Sequence, residues 1–171
     1  MKRHKSPKKP KTRKHKGFSL IELLIVVAII LIIAAIAIPN FLRSRIAANE
    51  ASAVASLHTL DTAEITYNTT YPNVGFTGLA ALGPVSGGAS PTSAAAALID
   101  ANLASGTKSG YTFTVTPDSG TPAPSYQSTA APVTPGTTGQ RYFCSDSSGV
   151  IQFNATAATG ATCASGTNNP I

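Results

Sequence analysis

Three residues near the start of the chain have the types and spacing for one specific ionic interaction. Gly17 is a small residue at which the backbone could be cut, and Phe18 follows it directly. A cut between them would leave a positively charged amine on Phe18 at neutral pH. Glu22 stands four residues further on, so on a helix its carboxylate lies on the same face as that amine. The spacing predicts an amine–carboxylate pair, formed within one chain or between neighbouring chains.

The surroundings of Glu22 make such a pair informative. Every residue from 23 to 38 is apolar, and residues 18–38 contain only Ser19 and Glu22 as polar side chains. As a helix this segment spans roughly 31 Å, which is enough to cross a bilayer core of about 30 Å. A charge inside a bilayer costs about 2.5–3.5 kcal/mol. Packed helices would therefore adopt the register that brings the carboxylate and the amine together. The alternative is that Glu22, near one end of the span, reaches the lipid headgroups.

The charges of the chain are segregated. Nine basic side chains and no acidic one precede Gly17, whereas the remainder has four basic and seven acidic side chains, a net charge of −3. A basic tail alone suits nucleic acid or anionic lipid, but beside an apolar span it predicts a cytoplasmic N-terminus. The acidic remainder argues against a nucleic-acid binder. A cleaved secretory signal is the other alternative, but the apolar run is longer than in such signals and no A-x-A cleavage site follows it.

A single long helix from Phe18 to about residue 68 must position these groups. Pro39 lies inside the helical pattern and predicts a kink rather than an end. From residue 46 the pattern becomes amphipathic, with a predicted apolar stripe of Ala47, Ala51, Val54, Leu57 and Ile65 and with the acidic side chains between these positions.

The rest of the chain predicts a small antiparallel sheet. A connector over residues 69–110 contains a candidate short helix at 93–104, and candidate strands follow at 111–116, 126–130, 141–145 and 150–154. Residues 146–149 read as a hairpin turn, and the loops 117–125 and 131–139 as surface. The predicted fold class is α+β, a long N-terminal helix packed on a sheet of three or four strands.

Enzymatic chemistry has little support in this sequence. His58 is the only histidine outside the basic tail, and it has no Ser, Cys or metal-ligand partner at a recognisable spacing. No cofactor or metal is expected. Cys144 and Cys163 both fall in the part placed outside the membrane, where an oxidising compartment permits a disulfide. Two free buried thiols are the alternative.

The sequence KGFSLIELLIVVAII of residues 16–30, followed by AAIAIP of residues 34–39, resembles the N-terminus of type IV pilins and pseudopilins. The resemblance covers about residues 16–45. It implies a ladle-shaped fold, cleavage between Gly17 and Phe18 by a prepilin peptidase, and N-methylation of Phe18. It also implies that Glu22 neutralises the Phe18 amine of an adjacent subunit and that Cys144 and Cys163 staple the C-terminal loop.

The resemblance divides the chain into a leader of residues 1–17, a membrane and filament-core helix of 18–45, and a globular domain of 46–171. That domain holds the helix to about 68, the connector 69–110, and the sheet with the C-terminal loop 111–171. Two features depart from the family: Leu31 stands where a glycine is common in the apolar run, and the leader is longer than in many pilins that begin with Phe.

The function implied is that of a structural subunit of an extracellular filament, held in the inner membrane until an assembly machine extracts it. Its partners would be copies of itself, the peptidase and methyltransferase, and that machine, with no nucleic acid required. One alternative is the major pseudopilin of a type II secretion system. Such proteins often bind calcium, yet Asp146 is the only acidic residue after Asp118. The other alternative is a single-pass adhesin or receptor that never polymerises.

A disulfide between Cys144 and Cys163 would close a loop of about 20 residues, worth about 3 kcal/mol through the entropy of the unfolded chain. Reduction of the soluble fragment from residue 46 onward should therefore lower its Tm by roughly 10 °C. Calorimetry with and without reductant measures this. An unchanged Tm would mean that the two cysteines are not bridged.

Overall fold

A computed structural model describes residues 17–87, 89–154 and 169–171. The chain divides into two compact units between Pro39 and Asn40. One helix, α1 (Leu20–Thr70), runs through this division.

Helix α1 begins two residues later than predicted. Gly17, Phe18 and Ser19 precede it, and the Ser19 carbonyl accepts the Leu23 N–H at 3.2 Å, which places Ser19 at the N-cap position. The predicted end near residue 68 agrees with the observed end at Thr70. Pro39 lies inside the helix, so the prediction that the helix continues past it is confirmed. A kink at Pro39 remains a prediction.

The buried stripe of α1 in the second unit differs from the predicted one. Ala47, Ala51 and Ile65 are exposed, and Val54 is half-buried. The buried residues are instead one stripe of apolar side chains together with four polar ones: Ala53, Leu57, Leu60, Ala63, Tyr67, Glu50, Ser56, Asp61 and Glu64. The prediction assigned the acidic side chains to water, so the predicted stripe is displaced around the helix and shares only Leu57 with the fully buried residues.

The connector has two one-turn helices rather than the single helix predicted at 93–104. These are α2 (Leu79–Leu82) and α3 (Ala101–Ala104). The Asp100 side chain accepts the N–H groups of Asn102 and Leu103, so α3 starts directly after this cap. The preceding segment lies along α2 instead, where the N–H groups of residues 96 and 98 donate to the carbonyls of residues 81 and 82.

The sheet has six antiparallel strands in sequential order, two more than the upper limit of the prediction. They are β1 (Thr107–Lys108), β2 (Tyr111–Pro117), β3 (Tyr126–Pro132), β4 (Tyr142–Asp146), β5 (Gln152–Asn154) and β6 (Asn169–Pro170). The four predicted strands are β2 to β5, and the two additional ones are two-residue edge strands. Strand β3 runs to Pro132, so the surface loop predicted at 131–139 starts later. In the predicted turn, the Gly149 N–H donates to the Asp146 carbonyl at 2.9 Å.

The core lies between the second part of α1 and one face of the sheet. Along β2 the side chains alternate between buried and exposed, with Tyr111, Phe113 and Val115 facing inward. Tyr126, Ala130 and Phe143 of the neighbouring strands complete this face, and Leu82 and Leu103 of the short helices join the same core. The α+β fold class predicted from the sequence is confirmed.

The loop between β2 and β3 is fixed to the chain that follows α1. Gly75 forms a bridge with Ala123, and the Ala123 N–H donates to the Val74 carbonyl at 2.9 Å. Gly75 has φ +83, and a Cβ there would stand 2.3 Å from both the backbone nitrogen and the oxygen of Ala123. Only glycine allows this close approach. The contact therefore holds this loop beside the C-terminal end of α1.

Candidate functional site

The backbone around the predicted cleavage site is open. Gly17 and Phe18 lie outside α1, and a Cβ added at Gly17 would meet no atom within 4 Å. The Phe18 side chain is 79% exposed. Gly17 and Phe18 are thus exposed and outside the helix, which is the kind of backbone that a peptidase can reach.

Glu22 lies in the first turn of α1 and is exposed. The positive end of the helix dipole stabilises a carboxylate at this position. Among the residues that the structure describes, no basic side chain forms an ion pair with Glu22. An amine released by a cut before Phe18, in this chain or in a neighbouring copy, would be a charged partner for it.

The helix that follows Glu22 is apolar on every side. The large apolar side chains from Phe18 to Leu42 are each at least 45% exposed, including Leu20, Ile30 and Ile36. By length and composition α1 is able to cross a membrane. A helix that is hydrophobic all round needs lipid or other apolar helices around it.

In the second unit, Glu50 joins α1 to the chain before β4. Its Oε1 accepts the N–H groups of Gln140 and Arg141 at 2.9 and 3.2 Å, and its Oε2 accepts the Arg141 Nε–H at 2.8 Å. Burial raises the pKa of Glu50, but these hydrogen bonds and the guanidinium charge outweigh it, so the net pKa is lowered. The Arg141 guanidinium also lies over the rings of Phe143 and Phe153. Glu50 is therefore ionised and held at both oxygens.

Asp61 makes a second connection between α1 and the sheet. It is buried, and its two oxygens accept the Tyr126 Oη–H at 2.9 Å and the Ser145 Oγ–H at 2.7 Å. Burial raises the pKa of Asp61, and the two hydrogen bonds partly oppose the shift. These hydrogen bonds fix the position of β3 and β4 along the axis of α1.

Glu64 lies one turn further along α1 and is the least satisfied of the three carboxyl groups. It is completely buried, and its Oε2 accepts the Thr77 N–H at 3.0 Å. Its Oε1 has no hydrogen-bond partner within the described parts of the chain. The pKa of Glu64 is raised to about 7, because burial and the Asp61 charge raise it by more than the Thr77 hydrogen bond lowers it. A buried carboxyl group with one unpaired oxygen favours the protonated form.

The structural roles of these three acidic side chains were not predicted from the sequence. A signal was present, because positions 50, 53, 57, 60, 64 and 67 alternate in steps of three and four, which is one face of a helix. Two of these positions are Glu50 and Glu64, and a stripe defined by apolar residues alone passes over them. Such acidic residues can lie on a buried face only if later parts of the chain supply hydrogen-bond donors, and the sequence of α1 does not contain that information.

The other predicted residues are placed as follows. Cys144 is buried in β4, and Cys163 lies outside the described residues, so their disulfide remains a prediction. His58 is exposed beside Thr59 and Thr62, along an open groove. Within residues 17–87, 89–154 and 169–171, no group of three His, Cys, Asp or Glu side chains is arranged to hold a metal ion.

The N-terminal segment is similar to known proteins. Residues 12–38 match the prokaryotic N-terminal methylation motif. The type IV major pilin protein PilA of Myxococcus xanthus is 51% identical over 51 residues, which is 30% of this chain and 23% of that protein. The type IV wide pilus major component PilA4 of Thermus thermophilus is 56% identical over 46 residues, which is 27% of this chain and 35% of that protein. The matches thus cover only 23% and 35% of the length of these two relatives, and no solved structure matches.

The raised pKa of Glu64 makes stability depend on pH. Between about pH 4.5 and pH 7 the unfolded chain ionises at Glu64 while the folded chain stays protonated, so the free energy of unfolding falls by about 3 kcal/mol as pH rises. Glu64→Gln removes this loss. Denaturant unfolding of the fragment from residue 46 should therefore show the variant gaining stability over wild type as pH rises through this window.

Glu50→Gln is the matched control, because the pKa of Glu50 is lowered and the sign is opposite. That variant should be less stable than wild type at neutral pH, and the difference should shrink as pH falls below about 4.5. Parallel pH profiles for wild type and Glu64→Gln would contradict the assignment of a protonated Glu64.

Proposed function

Because this chain carries the N-terminal segment of the type IV pilin family, we propose that it is a structural subunit of an extracellular type IV pilus. The observation that carries the proposal is the first part of α1. It is apolar on every side, it carries one carboxylate in its first turn, and an open Gly17–Phe18 junction precedes it. The role is structural and requires no catalytic group in this chain.

Maturation begins in the inner membrane. The basic residues before Gly17 stay in the cytoplasm, and α1 crosses the bilayer with the second unit outside. A prepilin peptidase cuts between Gly17 and Phe18, and its methyltransferase activity modifies the Phe18 amine. Exposure of Gly17 and Phe18, and their position before the first helical turn, support this step.

Assembly replaces lipid around α1 with the same helix of other copies. Each Leu, Ile, Val or Phe side chain contributes about 1.5–3 kcal/mol when it is fully buried away from water, so the assembled helices are strongly held against release into solvent. Such contacts are not directional. The Glu22 carboxylate and the Phe18 amine of a neighbouring subunit provide the direction, because an unpaired charge among apolar helices is costly.

The second unit remains folded throughout. Glu50 and Asp61 hold α1 to the sheet through charged or buried hydrogen bonds at two heights. An assembly machine that pulls on the chain therefore moves helix and sheet together.

A pseudopilus subunit of a type II secretion system is the alternative within the family. Both relatives described above are named as major components of pili, which supports the pilus. A single-pass adhesin or receptor, the alternative from another class, needs neither a cut at Gly17 nor a carboxylate at Glu22.

Glu22→Ala tests the register role. Membrane insertion and processing should be normal, while the yield of sheared filaments should fall at least tenfold, since leaving one partner of a buried pair uncompensated costs about 3–5 kcal/mol. Immunoblots of sheared and membrane fractions measure both. Ser19→Ala, which removes the other polar side chain of the segment without a charge, is the control and should keep its yield. A wild-type yield from Glu22→Ala would contradict the register role.

A further inference from the structure

The second unit carries its unpaired charges at two opposite ends. Arg43 and Arg45 are exposed on α1 before the sheet begins, and within the described residues neither forms an ion pair. Because they are two residues apart on a helix, their side chains point to different sides of it. This end of the unit presents positive charge in two directions.

Asp118 and Asp146 lie together at the other end. Register pairs Pro117 with Tyr126 and Gln127 with Asp146, so the ends of β2 and β4 lie on either side of the start of β3. With strands about 4.8 Å apart, the two aspartates follow strands separated by about 10 Å. Asp118 accepts a hydrogen bond from Ser125, and Asp146 accepts the Ser148 N–H. Neither donor is charged, and within the described residues neither aspartate forms an ion pair.

The remaining charged side chains of this unit are already used within the chain. Glu50 pairs with Arg141, and Asp100 pairs with Lys108. Asp61 and Glu64 are buried against the sheet and the connector. Two arginines at one end and two aspartates at the other are therefore the charges available to a partner.

The axis of α1 sets the distance between these ends. Asp61 contacts Tyr126 and Ser145, which places the aspartate end at the height of Asp61. Arg43 precedes Asp61 by 18 residues, a rise of about 27 Å along the helix. The opposite end of the sheet lies near Glu50, which contacts Arg141. The arginines thus lie about 10 Å beyond the sheet, where they cannot reach the aspartates of their own chain.

We propose that Arg43 and Arg45 of one subunit bind Asp118 and Asp146 of neighbouring copies displaced along the α1 axis, each arginine on its own side of the helix. The contact is head to tail, and an interface of that type repeats into an open filament rather than closing into a dimer. This proposal rests on the proposed pilin function. It adds a contact between the second units of neighbouring subunits.

The first test reverses the arginines in the full chain. Arg43→Glu with Arg45→Glu should leave membrane and processed protein at wild-type levels and lower the yield of sheared filaments at least tenfold, because like charges brought together cost several kcal/mol. Adding Asp118→Lys should restore at least a third of the lost yield. Asp118 is chosen because Asp146 also supports its own turn.

The matched control places the new lysine elsewhere on the same strand. Thr114 is exposed on β2, about 13 Å before Asp118, and Thr114→Lys should restore nothing. Equal recovery with Thr114→Lys, or a wild-type yield from the reversed arginines, would overturn the head-to-tail contact. Absence of filaments from the wild-type chain would instead overturn the proposed function itself.

A second measurement does not depend on yield. A full chain with Arg45→Cys and Asp118→Cys, oxidised in sheared filaments, should give a ladder of covalent oligomers on a non-reducing gel, while each single variant gives none. Filaments of the double variant that run as monomers after oxidation would also overturn the contact.

Discussion

Helix α1 has to satisfy two different environments along one continuous backbone, and the rest of the structure depends on this. Its first part is apolar on every side, so no face of it is suited to water. Its second part buries a single stripe against the sheet and exposes the remainder. A helix meets both demands because its backbone hydrogen bonds are internal, whatever the surrounding solvent. The position of Pro39 inside the helix fits this continuity.

Buried carboxyl groups fix the second part of the helix on its sheet. Apolar contacts of Leu57, Leu60 and Tyr67 supply most of the burial, but a helix can slide on such a surface. Glu50 and Asp61 remove that freedom, because each requires particular donors at one height. Replacing such buried charged groups by apolar ones often leaves the folding stability unchanged or raises it. Their contribution here is therefore to fix the position of the helix on the sheet. Glu64 lowers the stability of this arrangement, because one of its buried oxygens has no hydrogen-bond partner among the residues that the structure describes.

The sequence was sufficient to predict the long N-terminal helix and the α+β fold class. The apolar run, the acidic residue within it and the period-two pattern of β2 are local signals, and the structure has the long helix and the strands that they predict. The buried side of α1 was not predictable from apolar residues alone, because acidic groups share it. Strands β1 and β6 have two residues each and form only by hydrogen bonding to the adjacent strands. Two residues are too few for a recognisable sequence pattern. The predicted helix at 93–104 failed because that alanine-rich segment instead pairs its backbone with α2.

The charge pattern follows the same division. Nine basic side chains precede Gly17, and the remainder is acidic, so the proposed removal of residues 1–17 would change the net charge from +6 to −3. The basic tail would then orient the precursor and take no part in the mature subunit. In the second unit, Arg43 and Arg45 lie on α1 before the sheet, and Asp118 and Asp146 lie at the opposite end of the sheet.

The proposal that this chain is a processed pilus subunit is tested most directly by the intact mass and N-terminal sequence of protein sheared from the cell surface. We expect a chain in the filaments that begins at methylated Phe18 and lacks residues 1–17. A full-length chain that stays in the membrane would contradict it, and it would favour an anchored protein that does not polymerise.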